Sequence, residues 1–312
     1  MSESVVTLGE TMGLFHATSP GARPDGYRLG IGGAESNVAI GLARLGVGAT
    51  WIGRVGSDGV GDLVQRELRA EGVIAQLVVD IDAPTGLMVK TQPVAGRSRV
   101  DYYRTGSAGS RLNPDDIVAE TIQTASIVHL TGITPGLSVT AAAAVLRALD
   151  LADEAGVPVS FDINHRSAIW RNRDAAETYR EIVRRSTIVF AGLDEAALIV
   201  SGSTPTELSA ELAKLGPSQV LIKLGADGCL ARVDGEVFSV DAVPITPFDT
   251  VGAGDAFAAG YLAELVTGKD AHARLLTAVR AGAFACLGPG DWESLPRRAD
   301  LHLLDGDEPV VR

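Results

Sequence analysis

An α/β fold, built on a central and mostly parallel β-sheet flanked by helices, is what this 312-residue chain predicts. Short β-branched runs recur at 126–133 (SIVHLTGI), 157–163 (VPVSFDI), 186–192 (STIVFAG) and 219–225 (QVLIKLG). Helix-like segments lie between them, and strand, helix and strand in that alternation is the βαβ unit. The runs are apolar almost throughout, as strands are when helices cover both faces. Ligands of such sheets collect at the carboxyl ends of the strands.

In chain order, SVVTLGE (4–10) opens as a strand and leads into Gly- and Pro-rich residues 18–33. GGAESNVAIGLARLG (32–46) has a 3.6-residue apolar face, Asn37 near its start and Gly46 at its end, which predicts a helix. MVKTQPVAGRSRVDYYRTGS (88–107) alternates polar and apolar residues around Ala95-Gly96, the pattern of a hairpin wet on one face. Residues 12–33 and 85–108 are therefore expected to form a small separate sheet. Segments 140–156 and 204–216 carry helical periodicity and stop at glycine. CLARVDGEVFSV (229–240) places Asp-Gly between two strand-like runs, a hairpin signal. Helices are expected at 254–266 and 271–286. No low-complexity linker or solenoid repeat divides residues 1–312.

Composition narrows the function. Lys and Arg number 27 against 39 Asp and Glu, a net charge of −12 that repels nucleic acid and anionic membrane over most of the surface. Any anionic ligand then needs a locally basic pocket. No apolar run approaches the roughly 18 residues of a membrane span, and MSESVVTLGE lacks the basic start and apolar stretch of a signal peptide, so the expectation is a cytoplasmic protein. Cys229 and Cys286 are too few and too far apart for a disulfide framework or a Cys-based zinc site. The five histidines never fall at metal-ligand spacing.

DTVGAGDAFAAG (249–260) carries the chemistry. Gly252, Ala253 and Gly254 allow a tight turn with no bulky side chain in the way, and AFAAGYLAELV continues as a helix. Unpaired N–H groups at such a helix start, with the positive end of the helix dipole, form an anion site. A bare strand-to-helix turn would use the same glycines. Asp255 argues otherwise, because a carboxylate beside a phosphate site repels the anion unless it serves as a base for a hydroxyl proton. The chain contains neither GxxxxGK[ST] nor GxGxxG, so a Walker NTPase or dinucleotide-binding oxidoreductase has no motif behind it.

DTVGAGDAFAAGYL resembles the C-terminal signature of the PfkB (ribokinase-like) sugar kinases, and GGAESNVAIGLARLG with Gly56 resembles the N-terminal one. The resemblance spans nearly the whole chain. It implies a ribokinase-like α/β domain with a small β-sheet lid at about 12–33 and 85–108, ATP as phosphoryl donor and Mg²⁺ as divalent ion. By that likeness Asp255 is the base, and the amides of Gly252, Ala253 and Gly254 hold the charge developing on the transferred group. KLGADG (223–228) resembles the nucleotide-side stretch and puts Lys223, Gly225 and Gly228, with Thr250, near ATP; a plain strand-turn-strand with one lysine is the competing reading. Glu195 falls where the family's Asn-x-x-Glu organises metal and phosphates, but Gly192 replaces the asparagine, and an exposed charge at a helix start remains open. A monovalent cation near Asp249 is a further candidate that spacing alone does not support.

Two arginines in an acidic chain bear on the acceptor. Arg104 closes DYYR in the hairpin and Arg166 closes FDINHR beyond a parallel strand. Either could be an exposed surface charge; together, on one cleft, they give bidentate donors for a carboxylate or a polarised carbonyl. YYRTGSAGSRL and FDINHRSAIW resemble 2-keto-3-deoxygluconate kinases within the family. That likeness assigns Tyr103, Arg104 and Arg166 to the keto acid, Gly33, Ala34 and Asn37 to the hydroxyl end, and Asp291 of GDWESLP to the substrate's vicinity. Tyr102 and Tyr103 alternate faces, so only one reaches the ligand, and Tyr103 is the expected one. A kinase of fructose or a nucleoside, or a non-catalytic sugar sensor, are the rival readings. A homo-oligomer is expected, since an open lid sheet leaves a face for a second subunit.

Overall fold

The computed structural model describes residues 4–94, 97–171 and 173–304. β1 (Ser4–Leu8) opens the chain in the interior of a nine-stranded sheet. The chain leaves it for β2 (Met12–Ala17) and β3 (Tyr27–Gly32), then returns through α1 (Ala34–Arg44), β4 (Gly48–Gly56), α2 (Gly59–Ala70) and β5 (Ile74–Asp80). A second excursion forms β6 (Leu87–Val94) and β7 (Arg97–Tyr103). From there α3 (Ala119–Gln123), β8 (Ile127–Thr131), α4 (Thr134–Leu137), α5 (Val139–Ala155) and β9 (Val159–Asp162) follow in order. Next come α6 (Ser167–Trp170), α7 (Ala175–Arg184), β10 (Ile188–Gly192), α8 (Leu193–Ala197), α9 (Pro205–Ala213) and β11 (Gln219–Lys223). The hairpin of β12 (Cys229–Val233) and β13 (Glu236–Val240) precedes α10 (Ala253–Val266) and α11 (Ala271–Ala285).

The large sheet runs β13-β12-β11-β10-β9-β8-β1-β4-β5, parallel from β11 to β5, with the β12–β13 hairpin added antiparallel at one edge. Strand order reverses at β1, whose neighbours β4 and β8 lie on either side of it, and a ligand crevice is expected outside such a point. Alternation explains the two-sided cover. Val5, Trp51, Ile188 and Phe190 join one apolar cluster with α1, α10 and α11, while their neighbours Val6, Ile52, Val189 and Ala191 join another with α5, α7 and α9. Each fully buried Val, Leu or Ile contributes roughly 1.5–3 kcal/mol, so these two faces, more than local propensity, hold the layers together.

Local signals fix the ends. Ser138 accepts from the Ala141 amide at 3.0 Å to start α5, and Gly156, at φ 67°, ends it. Thr204 and Glu207 form a capping box around Pro205 at the start of α9. Asp234 and Gly235 take positive φ (50° and 91°) in the β12–β13 turn, as the Asp-Gly pair predicted.

The smaller sheet has the order β3-β2-β6-β7, antiparallel except that β2 and β6 run parallel. It gathers the two expected segments, 12–33 and 85–108, into one unit; the Ala95-Gly96 turn lies outside the described residues. One face carries Met12, Leu14, Met88 and Val100, packed together. Asn37 lies near the start of α1, as expected, one turn inside its N-cap residue Gly33 and 2% exposed. Among the described residues no helix is long and apolar enough to cross a membrane.

Candidate active site

A cleft of about 1250 Å³ opens between the carboxyl edge of the large sheet and the smaller sheet. Its floor comes from strand ends. Glu10 follows β1, Asn164 and Arg166 follow β9, Glu195 follows β10, and Lys223 ends β11. Its roof is Met12, Met88, Val100 and Tyr102 of the smaller sheet. The start of α10 closes one side with Thr250, Gly252, Gly254 and Asp255.

Gly252 adopts a left-handed conformation, φ 82°, and serves as the N-cap of α10 without any capping side chain. No side chain caps the first turn, and Gly252 and Gly254 line the cleft, so an anion bound there would satisfy first-turn amides. Asp255, in that first turn, is 9% exposed. Its Oδ2 accepts from Asn37 Nδ2 at 2.8 Å and its Oδ1 from Asn164 Nδ2 at 3.3 Å. Burial raises its pKa to about 7; the Asn37 hydrogen bond opposes the rise, Asp162 adds to it, and Arg166 and Lys223 work against it. A carboxyl tuned near neutrality can take up and release a proton at working pH. Asn164 reaches it from a positive φ of 36°, a conformation asparagine tolerates.

Lys223 Nζ is held by both oxygens of Asp162, at 2.7 and 2.8 Å. Burial alone would lower its pKa, but Asp162, Glu195 and Asp255 more than offset this and raise it, so the ammonium stays charged beside the amide turn. Glu195 accepts from the amides of His165 (3.0 Å) and Gly192 (2.7 Å). It thus lines the cleft while capping α8, and the residue at 192 contributes through its backbone. Arg166 is exposed on the cleft wall, with Nη1 donating to the His165 carbonyl at 3.1 Å. Arg104 also lines the cleft, but its guanidinium is already paired with Glu10 Oε2, at 2.6 Å from Nη2 and 2.7 Å from Nε.

Of the residues singled out from sequence, the structure brings Gly33, Ala34, Asn37, Arg104, Arg166, Glu195, Lys223, Thr250, Gly252, Gly254, Asp255 and Asp291 to one cleft. Four stand elsewhere. Tyr103 is 65% exposed and pairs with Leu87 on the outer face of the smaller sheet, while Tyr102, opposite Met88, faces the cleft beneath the Arg104 guanidinium, 5.7 Å from its ring centre. Alternation gave two candidates without the phase, and Tyr103 was the wrong one. Gly225 and Gly228 shape the turn after β11, at φ 61° and 86°, and do not line the cleft. Ala253 is set back too, its amide 3.4 Å from the Thr250 carbonyl. The site's other polar partners, Glu10, Asp162 and Asn164, were missed, although FDIN contains two of them. Lys90 was missed as well: it is fully buried, and its Nζ lies 2.6 Å from Asp249 Oδ2, where a monovalent cation had been a candidate.

Known proteins resemble this chain along nearly its whole length. A 2-dehydro-3-deoxygluconokinase of Bacillus subtilis (strain 168) is 34% identical over 307 residues, 96% of this chain and 95% of that one. Another, from Thermoproteus tenax, is 35% identical over 300 residues, covering 94% and 91%. A 2-dehydro-3-deoxygalactonokinase of Haloferax volcanii is 31% identical across 100% of both chains. Among solved structures, a ribokinase-II-type protein of E. coli in complex with ATP and Mg²⁺ superposes with a TM-score of 0.91 at 25% identity, over 98% of this chain and 99% of that one. The profile described as pfkB family carbohydrate kinase matches residues 2–298, and this chain belongs to that family of sugar kinases.

Proposed function

We propose that the protein transfers the γ-phosphoryl group of ATP to the C6 hydroxyl of 2-keto-3-deoxygluconate. The observation that carries this reading is Asp255: a buried carboxyl with a pKa near 7, lining the cleft in the first turn of a helix that has no capping side chain. The acceptor hydroxyl lies against Asp255, whose two oxygens are fixed by Asn37 and Asn164. As the hydroxyl oxygen bonds to the γ-phosphorus, its proton passes to the Asp255 carboxylate and the bond to the bridging β-γ oxygen breaks, releasing ADP. The amides at the start of α10 and the Lys223 ammonium face the charge that develops.

Mg²⁺ fits this cleft as an ion borne on the phosphates. Among the described residues no group of three or more His, Cys, Asp or Glu could hold a metal, whereas Asp194 and Glu195 line the cleft and suit a hydrated ion as outer partners. When bound, the ion neutralises charge on the phosphate oxygens.

The preference for a sugar acid rests on Arg166 and Arg104 in a chain of net charge −12. Arg166, exposed on the cleft wall, can turn its guanidinium to a carboxylate. Arg104, held by Glu10 through Nε and Nη2, offers the remaining edge of its guanidinium above the Tyr102 ring. The smaller sheet acts as the lid, closing over the sugar acid and excluding water from the γ-phosphate. A homo-oligomer would cover its outer face, where Tyr27, Leu29 and Tyr103 are exposed; sedimentation reads that state.

ADP release measured across sugar acids and neutral sugars tests the whole reading. The highest kcat/KM is expected for 2-keto-3-deoxygluconate or its galactonate-derived isomer, with the phosphate found on C6 by ³¹P NMR. Faster turnover of fructose or a nucleoside would overturn the acceptor, and sugar binding without ADP would overturn the chemistry.

A further inference from the structure

Lys90 is a charged residue at the core of the molecule that phosphoryl transfer, as derived above, does not use. It projects from β6 of the smaller sheet, and its side chain is 0% exposed. Lysine is almost never buried this completely unless paired. Its Nζ lies 2.6 Å from Asp249 Oδ2, donates to the Gly290 carbonyl at 3.0 Å and to Asp291 Oδ1 at 3.3 Å. The two loops that supply these oxygens are the ones that shape the amide turn. Asp249 Oδ1 accepts from the Val251 amide at 3.2 Å. The Asp291 carbonyl packs so closely on Gly252 that a Cβ at 252 would fall onto it. One ammonium thus anchors both walls of the turn whose amides face the cleft.

The oxygens around Nζ, two from carboxylates and one from a main-chain carbonyl, form an all-oxygen cage of the kind that also suits a hard cation. Here the positive charge is covalently part of the chain. We propose that Lys90 is a positioning residue for phosphoryl transfer: its ammonium holds the 249–254 turn in register from the smaller sheet and stands in the place that a free monovalent cation would take. The inference rests on the kinase reading but on no particular sugar.

The test combines a readout that needs no substrate with one that does. Wild type and Lys90→Ala are compared in tetramethylammonium, K⁺ and NH₄⁺ buffers, by melting temperature and by ADP release. Wild type is expected to be indifferent to the cation in both. In tetramethylammonium, Lys90→Ala is expected to lose turnover on the order of 10- to 10²-fold, the scale of a small misplacement of the reacting groups. Both its melting temperature and its turnover should then rise in K⁺ or NH₄⁺. A wild type that requires K⁺, a variant as fast as wild type in tetramethylammonium, or a variant deaf to K⁺ and NH₄⁺ in melting temperature would each overturn the proposal. Should Lys90→Ala fail to fold, the neutral pair Lys90→Met with Asp249→Asn replaces it; a folded pair with KM near wild type and kcat at least tenfold down supports the role, and wild-type kcat overturns it. Absence of ADP from wild type with every sugar would count against the kinase reading, while the melting-temperature arm would still decide on Lys90.

Discussion

Asn37 donates its side-chain amide to Asp255 Oδ2 at 2.8 Å, joining the first helix of the chain to the start of α10 across 218 residues of sequence. In the proposed function, this contact sets the hydroxyl end of the acceptor beside the carboxyl that would take its proton. Asp255→Asn should therefore lower kcat by about 10²–10⁴, the span of a positioned general base, with ATP affinity nearly unchanged. Stopped assays and isothermal titration read the two quantities separately. A turnover within tenfold of wild type would refute the role.

The same carboxyl predicts two pH effects of opposite sign. With its pKa raised from 3.8 to about 7 by burial, the proposed base gains its charge as pH rises through neutrality, so kcat/KM should climb with pH through about 7. Stability should move the other way. Between 3.8 and 7 the folded protein holds this proton and the unfolded chain does not, so the carboxyl's contribution to stability falls as pH rises through that window. Asp291, pushed by burial to about 6 although Lys90 opposes the shift, contributes in the same sense. Denaturant midpoints of wild type should decline with rising pH more steeply than those of Asp255→Asn, which lacks one of the two groups. Parallel declines would remove Asp255 from the account.

The arginines should separate by stability as well as by substrate. Arg166 is exposed and its hydrogen bond goes to its neighbour's carbonyl, so Arg166→Ala should leave the melting temperature nearly unchanged and raise KM for a keto acid far more than for a neutral sugar. Arg104 balances Glu10, whose side chain is 0% exposed and also accepts from Ser107. Arg104→Ala strands that carboxylate, a defect worth about 3–5 kcal/mol in buried pairs, and should lower the melting temperature as well as the affinity. Adding Glu10→Gln should return much of the stability but not the preference for the acid. Equal losses on acid and neutral substrates in Arg166→Ala would sink the carboxylate role.

What the sequence made legible follows from how far each signal travels along the chain. The βαβ order and the turn at 252–254 are local patterns, so the large sheet, the smaller sheet's segments and the placement of Asp255 could all be read. Tyr102 and Tyr103 mark the next limit: period-two alternation separates the faces, but only packing against Met88 says which face is inward. Gly225 and Gly228 were legible as glycines that something requires; the requirement is a positive φ and, at Gly228, the close passage of the Val240 carbonyl. Lys90 was not legible at all. Its partners Gly290 and Asp291 stand 200 and 201 residues further on, and on its own strand it reads as one more polar residue in a hairpin.

Glycine itself provides the last prediction, because two positions with similar dihedral angles differ in what surrounds them. Gly225 has φ 61° with nothing near where a Cβ would project, so Gly225→Ala meets only the left-handed penalty of roughly 1–2 kcal/mol. Gly252 has φ 82° and would also press a Cβ into the Asp291 carbonyl. That carbonyl cannot retreat freely, since the Asp291 side chain and its neighbour Gly290 are both held by Lys90. The strain must then be relieved by moving the turn, which carries the amides and the first-turn Asp255 with it. Gly252→Ala should accordingly lose turnover by 10²-fold or more, the scale that small displacements of reacting groups produce, whereas Gly225→Ala should lose a few degrees of melting temperature and keep kcat near wild type. Comparable kcat in the two variants would mean that the turn's geometry does not govern the reaction.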